Sequence, residues 1–367
     1  MSRFAAGSGV DAEWPRAAAR ALEAMGPPPD GANLGFLYLS DRLAADAADI
    51  LDALQRETGI ANWIGTLGVG VCSTGAECFD QPAVAIMAAA LPPRSFAMFD
   101  AGRHELASFL ERRPWREPGG LGVVHLDPRN ARAFPLIGAL GEASGSFLVG
   151  ALTSSRGPYA QFAGGLSTSG LSGVLFSPGI PVATALTQGC APLGPTHVVT
   201  RARDNVAYEL DGRPALEVFK EDIGELLARD LRRVAGYVFA AAPVEGSDIA
   251  DYMVRNIAAI DPKTGAVAIA DELREGQPLM FCRRDRQAAA ADLERMLAGL
   301  KRRLPGPPKA ALYHSCLSRG PNMFDAGEEL GAIERALGRI PLAGFFGNGE
   351  ISNARLYTYT GVLTVFL

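Results

Sequence analysis

The chain has 367 residues, of which 48% are hydrophobic and 20% are charged. This composition can bury ordinary globular cores and excludes a disordered chain. The formal net charge is -5 and the sequence has no block of lysine and arginine, so nucleic acid is not expected as a partner.

No uncharged apolar run is long enough to span a membrane, and residues 1–26 lack the continuous apolar core of a secretory signal. We therefore expect a cytoplasmic protein without membrane insertion. The five cysteines are odd in number and never occur as C-x-x-C, which argues against a disulfide framework or a zinc knuckle. We expect all five to be thiols.

Predicted helices and strands alternate in the first 152 residues. Apolar residues recur at helical spacing over residues 11–25, and three consecutive prolines then prevent the helix from continuing. Short apolar runs bounded by turn residues predict strands, and the pattern is typical of α/β units. The predicted strands are residues 33–39, 63–72, 83–91, 122–126 and 147–152, with further helices at 43–58 and 132–143.

The middle of the chain has a different character. From Gly164 the sequence is rich in glycine and hydroxyl residues, and residues 181–189 and 196–210 are predicted strands closed by the turn at Asp211 and Gly212. We expect this part to be antiparallel.

After this turn comes a strongly amphipathic helix at residues 216–234. Its predicted buried face consists of Leu216, Phe219, Ile223, Leu226, Leu227 and Leu231. The elements predicted after it are strands 237–242, 254–260, 267–270 and 279–282, helix 287–303, strand 310–316, helix 328–337, and strands 342–346 and 361–367. The prediction is an α/β fold, with α+β as the alternative, in two parts with mixed sheets flanked by helices.

The sequence lacks the short motifs of several enzyme classes. It has neither a G-x-x-x-x-G-K-[ST] phosphate loop nor a G-x-S-x-G nucleophile elbow. Gly68 and Gly70 begin a dinucleotide-binding pattern, but the third glycine, Gly75, comes too late. The four histidines are scattered without metal-ligand spacing, so no metal is expected.

The segment GFFGNGEI, residues 344–351, places Glu350 immediately after the end of a predicted strand. Ligands of α/β sheets favour that edge. Two other predicted strands also run into short polar stretches that contain a thiol. Cys72 is followed by Ser73 and Thr74, and Cys316 lies between Ser315 and Arg319. We expect the three strand ends to meet around a small polar pocket.

Several of these segments resemble the FIST-domain family, in the family's order and over nearly the whole chain. They are residues 70–75 (GVCSTG), 165–170 (GLSTSG), 188–190 (QGC), 208–216 (YELDGRPAL), 315–320 (SCLSRG), 341–346 (PLAGFF) and 349–351 (GEI). The resemblance implies an amino-terminal FIST half at residues 1–210 and a carboxy-terminal half at 211–367.

The resemblance also implies a function. FIST domains are intracellular sensory and signal-transduction domains, proposed to bind small ligands such as amino acids, and in bacteria they are often fused to kinases or cyclases. We therefore expect a non-catalytic sensor that passes its signal to a separate histidine kinase or cyclase. Some proteins similar in fold bind haem and sense nitric oxide, which leaves a haem-dependent sensor as one alternative.

Ten residues are candidates for holding the ligand. Glu350 suits an ammonium group and Arg319 a carboxylate, with Asn348 beside them. The other seven are Ser315, Cys316, Cys72, Ser73, Thr74, Thr168 and Ser169. Each also has a structural interpretation: an internal ion pair for Glu350, a surface position for Arg319, inert burial for the thiols and turn formation for the hydroxyl groups.

Two further alternatives remain open. Cys316 or Cys72 could act as the nucleophile of a cysteine-dependent enzyme, which rapid alkylation and protection by substrate would reveal. The chain could also be a scaffold that binds no small ligand.

Overall fold

The computed structural model describes residues 3–246 and 251–367. Within these ranges the chain forms eight α-helices: α1 (Trp14–Met25), α2 (Ala47–Thr58), α3 (Leu106–Arg112), α4 (Ala133–Ser144), α5 (Ala215–Ala228), α6 (Arg286–Arg303), α7 (Gly320–Met323) and α8 (Glu328–Leu337). Short 3₁₀ helices cover Asp41–Asp46 and Leu231–Val234. No helix in the described ranges combines the length and the apolarity needed to cross a bilayer.

The strands up to residue 176 are β1 (Arg3–Val10), β2 (Leu34–Ser40), β3 (Trp63–Gly68), β4 (Gly70–Ser73), β5 (Ala76–Phe79), β6 (Ala83–Ala90), β7 (Phe96–Asp100), β8 (Leu121–Leu126), β9 (Phe147–Leu152), β10 (Gln161–Ala163), β11 (Leu166–Ser167) and β12 (Leu171–Phe176). The later strands are β13 (Val182–Gln188), β14 (Cys190–Pro192), β15 (His197–Arg203), β16 (Val206–Leu210), β17 (Arg213–Pro214), β18 (Val238–Pro243), β19 (Tyr252–Asp261), β20 (Ala266–Ile269), β21 (Pro278–Arg284), β22 (Ala310–Cys316), β23 (Leu342–Gly347), β24 (Glu350–Ser352), β25 (Arg355–Tyr357) and β26 (Thr360–Phe366).

The chain divides into two compact units that are not continuous in sequence. The first unit contains the chain up to Thr187 together with Leu293–Leu356 and Thr360–Leu367, and the second contains Gln188–Asp292 and Tyr357–Tyr359. These compact units differ from the FIST halves predicted at residues 1–210 and 211–367, because Leu293–Leu356 and Thr360–Leu367 join the amino-terminal part. The two halves stay a prediction.

The first unit is built on three mixed sheets of six strands each. The first sheet has the order β1-β6-β2-β3-β10-β11, the second β25-β24-β9-β8-β12-β7, and the third β13-β26-β22-β23-β4-β5. Each sheet contains one parallel pair joined through a helix: β2 and β3 through α2, β8 and β9 through α4, and β22 and β23 through α8. The predicted α/β class with mixed sheets flanked by helices is confirmed.

The helices of the first unit cover one face of each sheet. Residues of α1 and α2 pack with Leu37, Leu39 and Leu67 of the first sheet in one apolar cluster. Residues of α3 and α4 pack on the second sheet, and those of α6 and α8 pack on the third. Because strand side chains alternate between faces, the residues on the opposite faces are directed away from these helices.

The second unit is an antiparallel sheet that closes on itself. Strand β21 pairs with β15 on one side and with β18 on the other, so β15, β16, β20, β19, β18 and β21 form a ring. Helix α5 shares an apolar cluster with these strands through Ala215, Leu216, Val218, Phe219 and Ile223. The predicted antiparallel character of the middle segment is confirmed.

Two predictions for this region were wrong in detail. Residues 196–210 form two strands, because Asp204 adopts a positive φ of 54° and turns the chain between β15 and β16. The helix predicted at 216–234 is interrupted at Gly224, which has φ 77° and ψ 161°. After this break Leu226 is 73% exposed, although the helical period placed it on the buried face.

The interruption of α5 at Gly224 leads to a prediction about stability. Ile223→Ala should lower the free energy of unfolding by about 2–5 kcal/mol, since its side chain is buried. Leu226→Ala should change it by less than about 0.5 kcal/mol, since its side chain is already in water. Urea unfolding of both variants measures the difference, and equal losses would mean that the helix continues unbroken through Gly224.

Candidate functional site

Glu350 is the first residue of β24 and follows β23 after a short turn. Its side chain is fully buried, and Oε2 accepts hydrogen bonds from the Thr360 backbone N–H at 3.2 Å and hydroxyl at 2.7 Å. Among the described residues, Oε1 has no hydrogen-bond partner. Burial raises the pKa of Glu350 to about 8, although the hydrogen bonds from Thr360 and the charge of Arg319 act to lower it. At neutral pH this carboxyl group is therefore mostly protonated.

The turn before Glu350 is fastened to β9. The backbone N–H of Asn348 donates to the Leu152 carbonyl at 3.0 Å, and the Leu152 N–H donates to the Gly349 carbonyl at 2.8 Å. A Cβ atom at Gly347 would lie 2.7 Å from the Ala151 Cβ, so only glycine permits this approach. The Asn348 side chain is exposed. Asn348 therefore positions Glu350 through its backbone and not through its side chain.

Arg319 follows the carboxyl end of β22 and is fully buried, contrary to the surface interpretation. Its Nε donates to Glu329 Oε1 at 2.9 Å, and Nη2 lies 2.8 Å from the same oxygen without the alignment of a hydrogen bond. Its guanidinium carbon lies 5.0 Å from the centroid of the Phe324 ring. Burial acts to lower the pKa of Arg319, but the Glu329 carboxylate outweighs it and the net shift is upward. Within the described part of the chain, Nη1 has no hydrogen-bond partner.

Glu329, on α8, joins Arg319 to β22. The Tyr313 hydroxyl donates to Glu329 Oε1 at 2.7 Å, and the Ser315 hydroxyl donates to Oε2 at 3.1 Å. Tyr313 and Ser315 are two positions apart and therefore lie on the same face of β22. We call Tyr313, Ser315, Arg319 and Glu329 the ion-pair cluster. Sequence reasoning found Ser315 and Arg319 but missed Tyr313 and Glu329.

Two of the three predicted strand ends meet. Strands β22 and β23 are parallel, and Cys316 is paired with Gly347, so both strands end at the same edge of the third sheet. Strand β4 is antiparallel to β23 and pairs Ser73 with Ala343. The expectation for Cys72, Ser73 and Thr74 was therefore wrong, because this strand ends at the opposite edge.

At that edge the two hydroxyl groups serve the backbone. The Ser73 hydroxyl donates to the Leu342 carbonyl at 3.1 Å, and the Thr74 hydroxyl donates to the Ile340 carbonyl at 3.2 Å. Thr74 also accepts from the Leu342 N–H at 2.9 Å. These bonds hold the beginning of β23 against the end of β4.

Thr168 and Ser169 lie elsewhere, directly after the edge strand β11 of the first sheet. Thr168 is exposed. The Ser169 hydroxyl accepts from the Ser167 hydroxyl at 3.0 Å and donates to the Leu171 carbonyl at 3.1 Å. This is the geometry of a turn, and it does not connect these residues to Glu350.

The second sheet carries a line of polar residues, of which the sequence analysis had identified Glu350 alone. Asp100 pairs with Ser172, Ser172 with His125, His125 with Ala151, and Ala151 with Glu350. We call the four polar members, Asp100, Ser172, His125 and Glu350, the polar row. All four are buried, on the face opposite to the apolar cluster under α3 and α4. A histidine or serine inside an otherwise apolar strand, as in LGVVHL, was the signal that could have found them.

Several side-chain atoms of the polar row lack a hydrogen-bond partner among the described residues. Among the described residues, Ser172 Oγ and His125 Nδ1 have no hydrogen-bond partner, as was found for Glu350 Oε1. Asp100 Oδ2 lies 3.4 Å from Arg103 Nε in an ion pair without a hydrogen bond. Buried polar atoms without partners are rare in native proteins and indicate ordered water or another bound molecule.

Tyr38 connects the polar row to the other two sheets of the first unit. Its hydroxyl is hydrogen-bonded to Nε2 of His314 at 3.1 Å and to Nε2 of His125 at 3.4 Å. The Phe345 ring is stacked on Tyr38 with a centroid distance of 5.2 Å. Burial lowers the pKa of His314 to about 3 and lowers that of His125 as well, so both rings are neutral at physiological pH.

Comparison with known families identifies two consecutive domains in the chain. The FIST N domain matches residues 33–213 and the FIST C domain matches residues 215–353. The chain belongs to the FIST family. An uncharacterised Mycobacterium tuberculosis protein is 32% identical over 356 residues, covering 88% of each chain. An uncharacterised Mycobacterium bovis protein is 30% identical over 367 residues, covering 90% of each chain.

Membership of the FIST family places the chain among sensory and signal-transduction proteins, a group that is generally sensory rather than catalytic. The thiols needed by the cysteine-enzyme alternative are all buried. Burial also raises the pKa of Cys72 well above its ordinary value, with the nearby Glu77 and Glu329 acting in the same direction. A thiol of this kind is a poor nucleophile at neutral pH.

Each of the four histidines of this FIST protein makes at least one hydrogen bond through its ring. His125 and His314 share the Tyr38 hydroxyl, and both nitrogens of His197 are hydrogen-bonded to Asp211 and Asp222. His104 Nδ1 accepts from the Asp100 backbone N–H. In the described part of the chain, no group of three or more histidine, cysteine, aspartate or glutamate residues is arranged to hold a metal ion. The haem alternative gains no support from these contacts and stays a prediction.

Removing Arg319 should lower the stability of the protein by leaving the buried charge of Glu329 unpaired. Arg319→Met should lower the free energy of unfolding by about 3–5 kcal/mol, because Glu329 then stays buried without its cation. The double variant Arg319→Met/Glu329→Leu should recover part of this loss, since no uncompensated charge remains. Chemical denaturation of the wild type, Arg319→Met, Glu329→Leu and the double variant measures both effects, and a double variant as unstable as the sum of the two single changes would contradict the pairing.

Glu350 should make stability depend on pH. Its folded pKa of about 8 lies above its ordinary value of 4.5, so the folded state binds the proton more tightly. The resulting stability is fully present below pH 4.5 and is lost as pH rises towards 8, by at most about 1.4 kcal/mol per pH unit. Glu350→Gln should remove this slope, whereas the exposed Glu57→Gln should keep it. Urea unfolding between pH 5 and 8.5 compares the three proteins, and parallel curves for all three would contradict the raised pKa.

Proposed function

We propose that this FIST protein is a sensor for a small polar molecule, which binds in the first unit beside Glu350 and Arg319. The observation that carries the proposal is a group of four buried polar atoms that have no hydrogen-bond partner among the described residues: Arg319 Nη1, Glu350 Oε1, His125 Nδ1 and Ser172 Oγ. Each costs free energy when left unsatisfied, so a molecule that supplies the missing hydrogen bonds is stabilised there.

The charges of these residues favour a neutral or zwitterionic ligand. Arg319 is already paired with Glu329, and burial keeps Glu350 mostly protonated at pH 7. A ligand with a net charge would therefore bring an uncompensated charge into the interior. A free amino acid meets the requirement, because its carboxylate suits Arg319 Nη1 and its ammonium group suits Glu350 Oε1.

Signalling requires the ligand to bind one conformation better than another. Arg319 follows β22, and Glu350 lies on β24, so a ligand held by both would favour the arrangement that brings these two elements together. The partner that reads the change, a separate histidine kinase or cyclase, is part of the proposal on the basis of the family alone.

A thermal-shift screen against amino acids and other small metabolites tests the proposal. A true ligand present at a hundred times its dissociation constant should add about 2.7 kcal/mol to the stability of the folded protein. Glu350→Gln should abolish or strongly reduce the shift, and the exposed Glu57→Gln should retain it.

A screen without any stabilising compound would favour the scaffold alternative. A hit that is equally strong in Glu350→Gln would move the ligand away from this residue. A Soret band in the purified protein, shifted by nitric oxide, would favour the haem alternative instead.

A further inference from the structure

A pocket of about 360 Å³ lies beside α3. Ala97 and Phe109 line it, and both belong to the apolar cluster on the helix-covered face of the second sheet. Asp100, three positions after Ala97 on β7, faces the opposite side because strand side chains alternate. The volume is within the range of small-molecule sites.

Three arginines surround this pocket, against one carboxylate from Glu105. Arg103 donates to the carbonyl of Leu166 at 3.2 Å, and Arg113 donates to that of Ser144 at 3.4 Å. Arg103 Nε also lies 3.4 Å from Asp100 Oδ2 in an ion pair, so part of its charge is compensated. The carbonyl group that positions Arg113 leaves the charge of that guanidinium in place. Arg112 is exposed and has neither a hydrogen bond nor an ion pair with the described residues.

His104 adds a directed donor to the pocket. Its Nδ1 accepts a hydrogen bond from the Asp100 backbone N–H at 3.2 Å, so the neutral ring carries its proton on Nε2. The ring lies 5.8 Å from that of Phe109, centroid to centroid, which holds it against the apolar floor. The half-buried Ser108 contributes a hydroxyl group to the same wall.

We propose that this pocket binds a small organic anion, a carboxylate or phosphate joined to a short apolar body. The anionic oxygens would contact the guanidinium groups and His104 Nε2, while the apolar body packs on Phe109 and Ala97. Guanidinium groups suit both oxyanions because their planar forks match carboxylate and phosphate geometry. This site goes beyond the sensor proposed above, since it lies on the other face of the sheet and selects net negative charge.

Titration calorimetry at low ionic strength tests the site with four probes: phenyl phosphate, benzoate, inorganic phosphate and phenol. Phenyl phosphate or benzoate should bind more tightly than inorganic phosphate or phenol, because only these two offer both an anion and an apolar ring. Whichever of the two binds more tightly identifies phosphate or carboxylate as the preferred anion. Binding should weaken as salt is added.

Two exposed side chains give variants with opposite expected effects. Arg112→Gln should weaken binding about tenfold by removing a charged donor, and Glu105→Gln should tighten it by removing the opposing charge. The exposed Arg56→Gln should leave it unchanged. Absence of binding by every probe, equal affinity for inorganic phosphate and phenyl phosphate, or an affinity that Arg112→Gln leaves unaltered would overturn the proposal.

Discussion

The buried ion pair between Arg319 and Glu329 is the interaction on which the candidate site depends. Moving a guanidinium and a carboxylate out of water costs several kcal/mol per ion, and the pair is tolerable only because the hydroxyl groups of Tyr313 and Ser315 complete the solvation of Glu329. The pair thereby fixes the turn after β22 against α8. It also sets the electrostatic surroundings of Glu350, whose pKa responds to both charges.

The first unit has a polar interior between apolar outer faces. Its three sheets each bury one face under helices through a clearly apolar cluster. The inner face of the second sheet instead carries the polar row, and a comparable set of buried polar residues crosses the first sheet: Tyr38, Thr66, Gln161 and Ser167. The hydroxyl groups of Thr66 and Thr153 are 2.6 Å apart. Contacts of this kind specify how the sheets meet, since a misaligned sheet would leave more polar atoms unsatisfied.

A polar interior suits a sensor better than a close-packed apolar core would. Buried atoms that lack partners in the described residues have a free-energy cost, and any molecule that satisfies them shifts the balance between conformations. The arginine-lined pocket beside α3 differs from this polar interior. It lies at the surface, is positively charged and is lined at its base by aromatic and aliphatic side chains. The two proposed sites differ in chemistry, which would allow the protein to respond to two kinds of molecule.

The sequence by itself determined most of the secondary structure of this protein. The strand at residues 310–316 and the helix at 328–337 coincide with β22 and α8, because apolar periodicity and flanking breakers are local properties of the chain. It also placed Glu350 and Arg319 after the ends of two strands, which the parallel pairing of β22 and β23 brings to one edge. The FIST resemblance, carried by short ordered motifs, was likewise readable from residues alone.

Only the tertiary structure decided which polar groups share a site. The direction of β4 separates Ser73 and Thr74 from Glu350, and nothing local to β4 specifies whether it runs parallel or antiparallel to β23. In the sequence, Glu329 cannot be distinguished from other carboxylates of an amphipathic helix. Only the packing of α8 on β22 gives it a separate role. The polar row joins residues from 100 to 350 through strand register, which depends on pairing between distant segments. Burial then changes the chemistry, since it turns the carboxylate that the sequence predicted at Glu350 into a largely neutral acid.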